Sequence, residues 1–112
     1  MDKVVRYKAE IRALLEDIYA MIPSDEAIET QLILDEERGH FLLLSVGWEN
    51  GHWEYGSFVH IDVKSDGKVW IQHNGTDLKL GDELESKGIP KSDIVIGFHS
   101  PYSRTLTEYA VG

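Results

Sequence analysis

The fold of this chain is decided by residues 41–63, which read FLLLSVGWENGHWEYGSFVHIDV. Asn50-Gly51 in the middle of this stretch predicts a type I′ hairpin turn, in which both residues take a positive φ. A two-residue loop pairs Glu49 with His52. Continued outward, this register pairs Trp48 with Trp53, Val46 with Tyr55, Leu44 with Ser57 and Leu42 with Val59. Because nearly all these pairs are apolar, the turn and the hydrophobic pattern predict the same hairpin.

A second hairpin is predicted at Ser65-Asp66-Gly67. A two-residue Asp66-Gly67 turn would set Val63 opposite Trp70 and mix the two faces of the sheet. A three-residue loop with Gly67 in the left-handed region instead pairs Val63 with Val69 and Ile61 with Ile71. The three-residue loop therefore fits the pattern better. It creates a polar face on which His60 lies beside Gln72 and Asp62 lies beside Trp70.

The flanking segments predict helices on one face of this sheet. Residues 3–21 carry apolar side chains at spacings of three and four, with Asp2 as N-cap, an Arg12–Glu16 pair on the solvent side and Pro23 beyond the end. A further strand is expected over 28–36, a short second helix after a Thr76 or Asp77 cap, and a last strand over 94–99. The chain is predicted to be one α+β domain over residues 1–112. Its parts are an N-terminal amphipathic helix, an antiparallel meander sheet of about four to five strands, and a short second helix before the last strand.

The composition limits the classes of function. The net charge is −9, from 20 acidic and 11 basic residues, so direct nucleic-acid binding through phosphate contacts is not expected. An acidic surface suits a basic protein partner, although it also serves solubility alone. There is no cysteine, no apolar signal segment and no run of the ~20 apolar residues that a membrane span needs. These features predict a cytoplasmic protein with no membrane partner.

Few residues are arranged for chemistry. Motifs of nucleophile elbows and phosphate loops are absent, which predicts a non-enzyme without a cofactor, a metal or catalytic residues. His60 and Asp62 are two apart on a strand and project from the same face, and His99 is the third member of a weak polar cluster. Such a cluster could bind a metal or orient a base. It could equally be an ordinary polar sheet surface.

The aromatic side chains suggest an interaction surface. Trp48 and Trp53 are predicted to form a cross-strand pair at the edge of the core. A large aromatic on a polar sheet face favours either a protein interface or a second covering helix. The candidate interaction surface consists of five residues: Phe58, His60, Asp62, Trp70 and Gln72.

Three motifs resemble those of the XisI family: HIDV at 60–63, GKVWIQHNGT at 67–76 and GIPKSDIVIGFHSPY at 88–102. The resemblance extends over essentially the whole chain. It implies a controlling factor for excision of a DNA element that interrupts a nitrogen-fixation gene in heterocyst-forming cyanobacteria.

The resemblance also implies partners. Members of the family act with a site-specific recombinase and with XisH, which resembles endonucleases. A regulator working through protein–protein interaction is therefore expected, with no catalytic residues carried over to this chain. A homodimer is a further expectation, because Phe58 and Trp70 require cover that one N-terminal helix cannot give to both faces of the sheet.

Overall fold

The fold is that of a computed structural model, which describes residues 2–112. Its strands are β1 (Ile28–Asp35), β2 (His40–Glu49), β3 (His52–Val63), β4 (Val69–Asn74) and β5 (Ile94–Ile96). Its helices are α1 (Lys3–Met21), α2 (Leu80–Ser86) and α3 (Pro101–Arg104), with a 3₁₀ turn at Lys91–Asp93. The predicted α+β class is confirmed. No helix within residues 2–112 is both long enough and apolar enough to cross a membrane.

Helix α1 forms as its sequence predicts. The Asp2 carboxylate accepts a hydrogen bond from the Val4 N–H at 3.1 Å, and Arg12 donates to Glu16 at 3.0 Å. The helix buries one apolar stripe, made of Tyr7, Ile11, Leu14, Leu15 and Ile18. Ile22 is already extended before Pro23, which cannot continue a helix.

The five strands form one sheet in the order β1-β2-β3-β4-β5. Asn50 and Gly51 have φ of 53° and 75°, and Gly67 has φ of 89°, so both predicted turns are present. The pairs Trp48–Trp53, Val63–Val69 and Ile61–Ile71 are confirmed. Strand β5 pairs with β4 in parallel, in contrast to the predicted meander, because α2 carries the chain back before β5 begins.

Two β-bulges alter the predicted register. Leu44 pairs with Ser57 and Leu43 with Val59, so Phe58 is an extra residue in β3. Leu42 consequently lies opposite His60, and the predicted Leu42–Val59 pair is wrong. In β4, His60 pairs with His73 and Ile61 with Ile71, so Gln72 is the extra residue. His60 therefore pairs with His73 rather than with Gln72. An extra residue breaks the alternation of side chains along a strand. A register that assumes regular pairing therefore fails beyond the bulge.

The sheet has a covered face and an open face. The covered face packs against α1 and α2 around a core that includes Phe41, Leu43, Val59, Ile61, Val63 and Ile71. Alternation along β2 places Leu42, Leu44, Val46 and Trp48 on the opposite, open face. Because of the bulge at Phe58, their partners Trp53 and Tyr55 also lie on the open face, whereas Val59 and Ile61 lie on the covered one.

The segment after β4 differs from its prediction. Helix α2 begins at Leu80, after Lys79, so the predicted cap at Thr76 or Asp77 is wrong. The Asn74 side chain organises this loop: it donates to the Leu78 carbonyl at 2.7 Å and accepts from the Thr76 N–H at 2.9 Å. These local hydrogen bonds compete with an earlier helix start.

The end of the chain returns to the sheet. Strand β5 ends at Ile96, three residues earlier than expected, and α3 follows from Pro101. The tail then forms a parallel bridge between Ala110 and Val95, in which the Ala110 N–H donates to the Ile94 carbonyl at 2.8 Å.

Candidate functional site

The open face carries a cluster of two histidines around one buried carboxylate. His40 Nδ1 and His60 Nε2 each lie 2.8 Å from Asp62 Oδ1, and the Gln72 side-chain amide donates to Asp62 Oδ2 at 3.2 Å. His40 opens β2 directly opposite Asp62, and His60 lies two residues before Asp62 on β3. Rigid positions on adjacent strands therefore converge on one carboxylate. These four residues are the Asp62 cluster.

The environment of Asp62 keeps its carboxylate charged. Its side chain is only 8% exposed, and this burial alone would raise the pKa. Hydrogen bonds from His40, Gln72 and His60 outweigh the burial, so the pKa of the Asp62 carboxyl lies below its ordinary value. Because a carboxylate oxygen can only accept a hydrogen bond, His40 Nδ1 and His60 Nε2 each carry the proton that they donate to Asp62 Oδ1. The cluster is thus a buried carboxylate that accepts three hydrogen bonds, two from histidines and one from Gln72.

His99 is not part of this cluster. It lines a separate cavity near α2, together with Leu80 and Tyr109. Within residues 2–112 its Nδ1 is buried without a hydrogen-bond partner. The second histidine at Asp62 is instead His40, which the sequence pattern did not predict. Only the strand register could have indicated His40, because the bulge at Phe58 is what brings His40 opposite Asp62.

Trp70 lies on the open face beneath the C-terminal segment. The Arg104 guanidinium carbon is 5.0 Å from the centre of the Trp70 ring. Arg104 itself donates to the Ile96 and Gly97 carbonyls at 3.3 Å and 3.0 Å. Trp70 is therefore half-buried by the chain itself, through a cation–π contact.

The structure separates Phe58 from the other four residues of the predicted interaction surface. Phe58 packs against the core and lines a cleft of about 630 Å³ with Ile22 and Ile28, at the end of α1. The physical reason is again the bulge, which turns Phe58 to the covered face. His60, Asp62, Trp70 and Gln72 remain together on the open face.

An exposed aromatic patch lies at the other end of the open face. It consists of Trp48, Trp53 and Tyr55, which are 65%, 53% and 69% exposed. The rings of Trp48 and Trp53 are 5.6 Å apart between centroids at an angle of 53°. The predicted pair thus exists, but it faces solvent and is not at the edge of the core.

These features define a small α+β protein in which α1 and α2 cover one sheet face, while an aromatic patch and a histidine–carboxylate cluster lie on the other. The model of the XisI protein family matches residues 1–111, and the chain belongs to the XisI family. The resemblance inferred from its motifs is confirmed.

Two solved structures from Anabaena variabilis ATCC 29413 have the same fold. A XisI-like protein is 40% identical, with a TM-score of 0.92 over 97% of this chain and 99% of that chain. The fdxN element excision controlling factor XisI is 33% identical, with a TM-score of 0.89 over 99% of this chain and all of that chain. A comparison with curated proteins gives no match.

Proposed function

We propose that this protein is a non-catalytic controlling factor for excision of a DNA element. It acts by binding a nuclease-like partner of the XisH type and a site-specific recombinase. Membership of the XisI family supports the proposal, as does the name of the related structure, an fdxN element excision controlling factor. The two partners follow from the family resemblance. The chain's own role is then to bind and regulate, and not to cleave DNA.

The aromatic patch is the observation that carries an interaction role. Three large aromatic side chains, each more than half exposed, adjoin one another on an uncovered sheet face. Exposed apolar patches of this kind mark protein-binding surfaces, and tryptophan and tyrosine are enriched where binding energy concentrates. A rigid sheet also presents them with little loss of conformational entropy on binding.

The charge of the chain favours the proposed kind of partner. A net charge of −9 disfavours contact with phosphates and attracts the basic surfaces of proteins that handle DNA. Charge would mainly accelerate association, and the aromatic patch would supply affinity. Binding should consequently weaken as salt rises without disappearing.

The test is co-purification of the protein with an XisH-type partner expressed in the same cells. The variant Trp48→Ser/Trp53→Ser removes the centre of the patch. Its matched control is Tyr102→Ser/Leu106→Ser, which changes two residues 73% and 70% exposed in and after α3. We expect the first variant to lose the partner and the control to retain it. Equal recovery with both variants, or no recovery of the partner at low salt with the unchanged protein, would contradict the proposal.

A second copy of the chain is the alternative occupant of the open face. Light scattering on the isolated protein distinguishes the two cases. A monomer that gains the partner supports the proposed heterologous complex. A dimer that the Trp48→Ser/Trp53→Ser variant dissociates assigns the patch to self-association instead.

A small enzyme or metal-binding protein built on His60, Asp62 and His99 is the second candidate function. His99 lies in a different cavity, so this set does not form a site. His40 nevertheless contacts Asp62, so a metal site could instead consist of His40, His60 and Asp62.

A further inference from the structure

We propose that His40, His60 and Asp62 form a binding site for a divalent transition metal ion of the zinc class. The three ligand atoms, His40 Nδ1, His60 Nε2 and one Asp62 oxygen, lie within 4.8 Å of one another. This spacing allows a single ion to contact all three after small side-chain adjustments, since zinc–nitrogen and zinc–oxygen bonds are about 2.0–2.2 Å long. The inference is independent of the partner proposed above.

The donor set selects the kind of ion. Two imidazole nitrogens and one carboxylate oxygen suit zinc and its first-row neighbours. Magnesium and calcium prefer sites made almost entirely of oxygen atoms. Three protein ligands also leave a coordination position for water or for a donor atom from another molecule, as in metal sites that remain reactive.

The site is held in place before any ion arrives. His40 and Asp62 are register partners on β2 and β3, and His60 shares the strand and face of Asp62. Gln72 holds the second oxygen of Asp62, which is the role of an outer-shell residue at metal sites. Gly97 makes room for this amide, because a Cβ atom there would lie 2.4 Å from Gln72 Oε1.

The proton balance of ion binding is simple. Each imidazole donates an N–H to Asp62 when no ion is bound. To coordinate an ion, the same two nitrogens must lose this proton, so that their lone pairs are available. The proton moves to the other ring nitrogen, which gives His40 the Nε2–H tautomer and His60 the Nδ1–H tautomer. Neutral imidazoles therefore bind the ion without net proton release. The His40 side chain is 48% exposed, so the ion can enter from solvent.

The experiment uses tag-free protein treated with a chelator and then dialysed. Titration with Zn²⁺ alone is followed by calorimetry, and Co²⁺ is used as an absorbing substitute. We expect one ion per chain. We also expect the imidazole ¹⁵N shifts to move at His40 Nδ1 and His60 Nε2, which marks those nitrogens as ligands.

Variants distinguish this site from surface binding. Gln72→Leu should weaken binding about 10–100-fold, as outer-shell losses do, and His40→Asn should weaken it more. His52→Asn, an exposed histidine at the far end of β3, is the matched control and should bind as the unchanged chain does. Far-UV circular dichroism checks that each variant is folded.

Two results would overturn the proposal. One is the absence of stoichiometric Zn²⁺ binding by the unchanged chain. The other is equal binding by a folded His40→Asn/His60→Asn variant, which would mean that the ion sits elsewhere. Adding a chelator to the partner co-purification keeps the two tests separate, so that neither result alters the outcome for the proposed partner.

Discussion

Both faces of the sheet carry large apolar side chains, but only one face is buried. On the covered face Phe41, Leu43 and Ile61 are fully buried beneath α1 and α2. On the open face the neighbouring residues Trp48 and Tyr55 are mostly exposed. Apolar content therefore does not tell which face becomes the core. The cover supplied by the helices and the bulge in β3 decide it.

The largest difference between the faces should appear in stability. Phe41→Ala removes a ring that is 0% exposed and should lower the free energy of unfolding by about 3–5 kcal/mol. Tyr55→Ala on the open face should change it by no more than about 0.5 kcal/mol. Urea unfolding followed by circular dichroism measures both. Similar losses in the two variants would mean that the open face is covered in solution.

A polar contact on the covered side should have the next largest effect. The Tyr7 hydroxyl donates to Asp93 at 2.5 Å and ties α1 to the turn before β5. Tyr7→Phe should cost about 1.5–3 kcal/mol, the range for a hydrogen bond to a charged group. Unfolding in urea at pH 7 provides the measurement.

The same contact predicts a dependence on alkaline pH. Burial, and after it the hydrogen bond to Asp93, raises the pKa of the Tyr7 hydroxyl above its ordinary value of about 10. A raised folded-state pKa gives stability that is complete below pH ~10 and is lost as the pH rises through the folded pKa. The Tyr7→Phe variant should therefore lose less stability than the unchanged chain across that window. Parallel curves for the two proteins would show that Tyr7 is not responsible.

The smallest effect should be the coupling of Trp48 with Trp53. A double-mutant cycle with Trp48→Ala and Trp53→Ala should give about 0.5–1.5 kcal/mol, because the rings are in contact but remain in water. The same double-mutant cycle can also be measured on partner binding. There we expect a larger coupling than in folding, and a smaller one would indicate that the partner binds elsewhere.

Local signals predicted much of the fold. Asn50-Gly51, Gly67 and the stripe of α1 each specify their structure with residues close in sequence, and all three are present. The parallel pairing of β5 could not be read in this way, because it depends on how the chain crosses the sheet through α2. The start of α2 was misplaced because Asn74 binds the loop before it.

The site was predicted only in part, and one residue explains why. Counting back from the Asn50-Gly51 turn without a bulge puts His40 opposite Ile61, on the wrong face for a contact with Asp62. The extra residue Phe58 shifts the pairing by one and brings His40 to Asp62. It also turns Trp53 and Tyr55 to the open face. Nothing in the alternation of β3 marks where this bulge falls, so His40 was missed and Phe58 was assigned to the wrong face.

The tail that bridges Ala110 to Val95 has a consequence for how the sheet could grow. An edge strand offers its peptide groups to any other extended chain, which is the start of aggregation. At the β5 edge the protein's own tail occupies part of this position. At the β1 edge the strand instead carries Glu29 and Asp35, two negative charges that a second copy of the same strand would have to approach. Pairing with a further strand is thus hindered at the β5 edge by the protein's own backbone and at the β1 edge by charge repulsion.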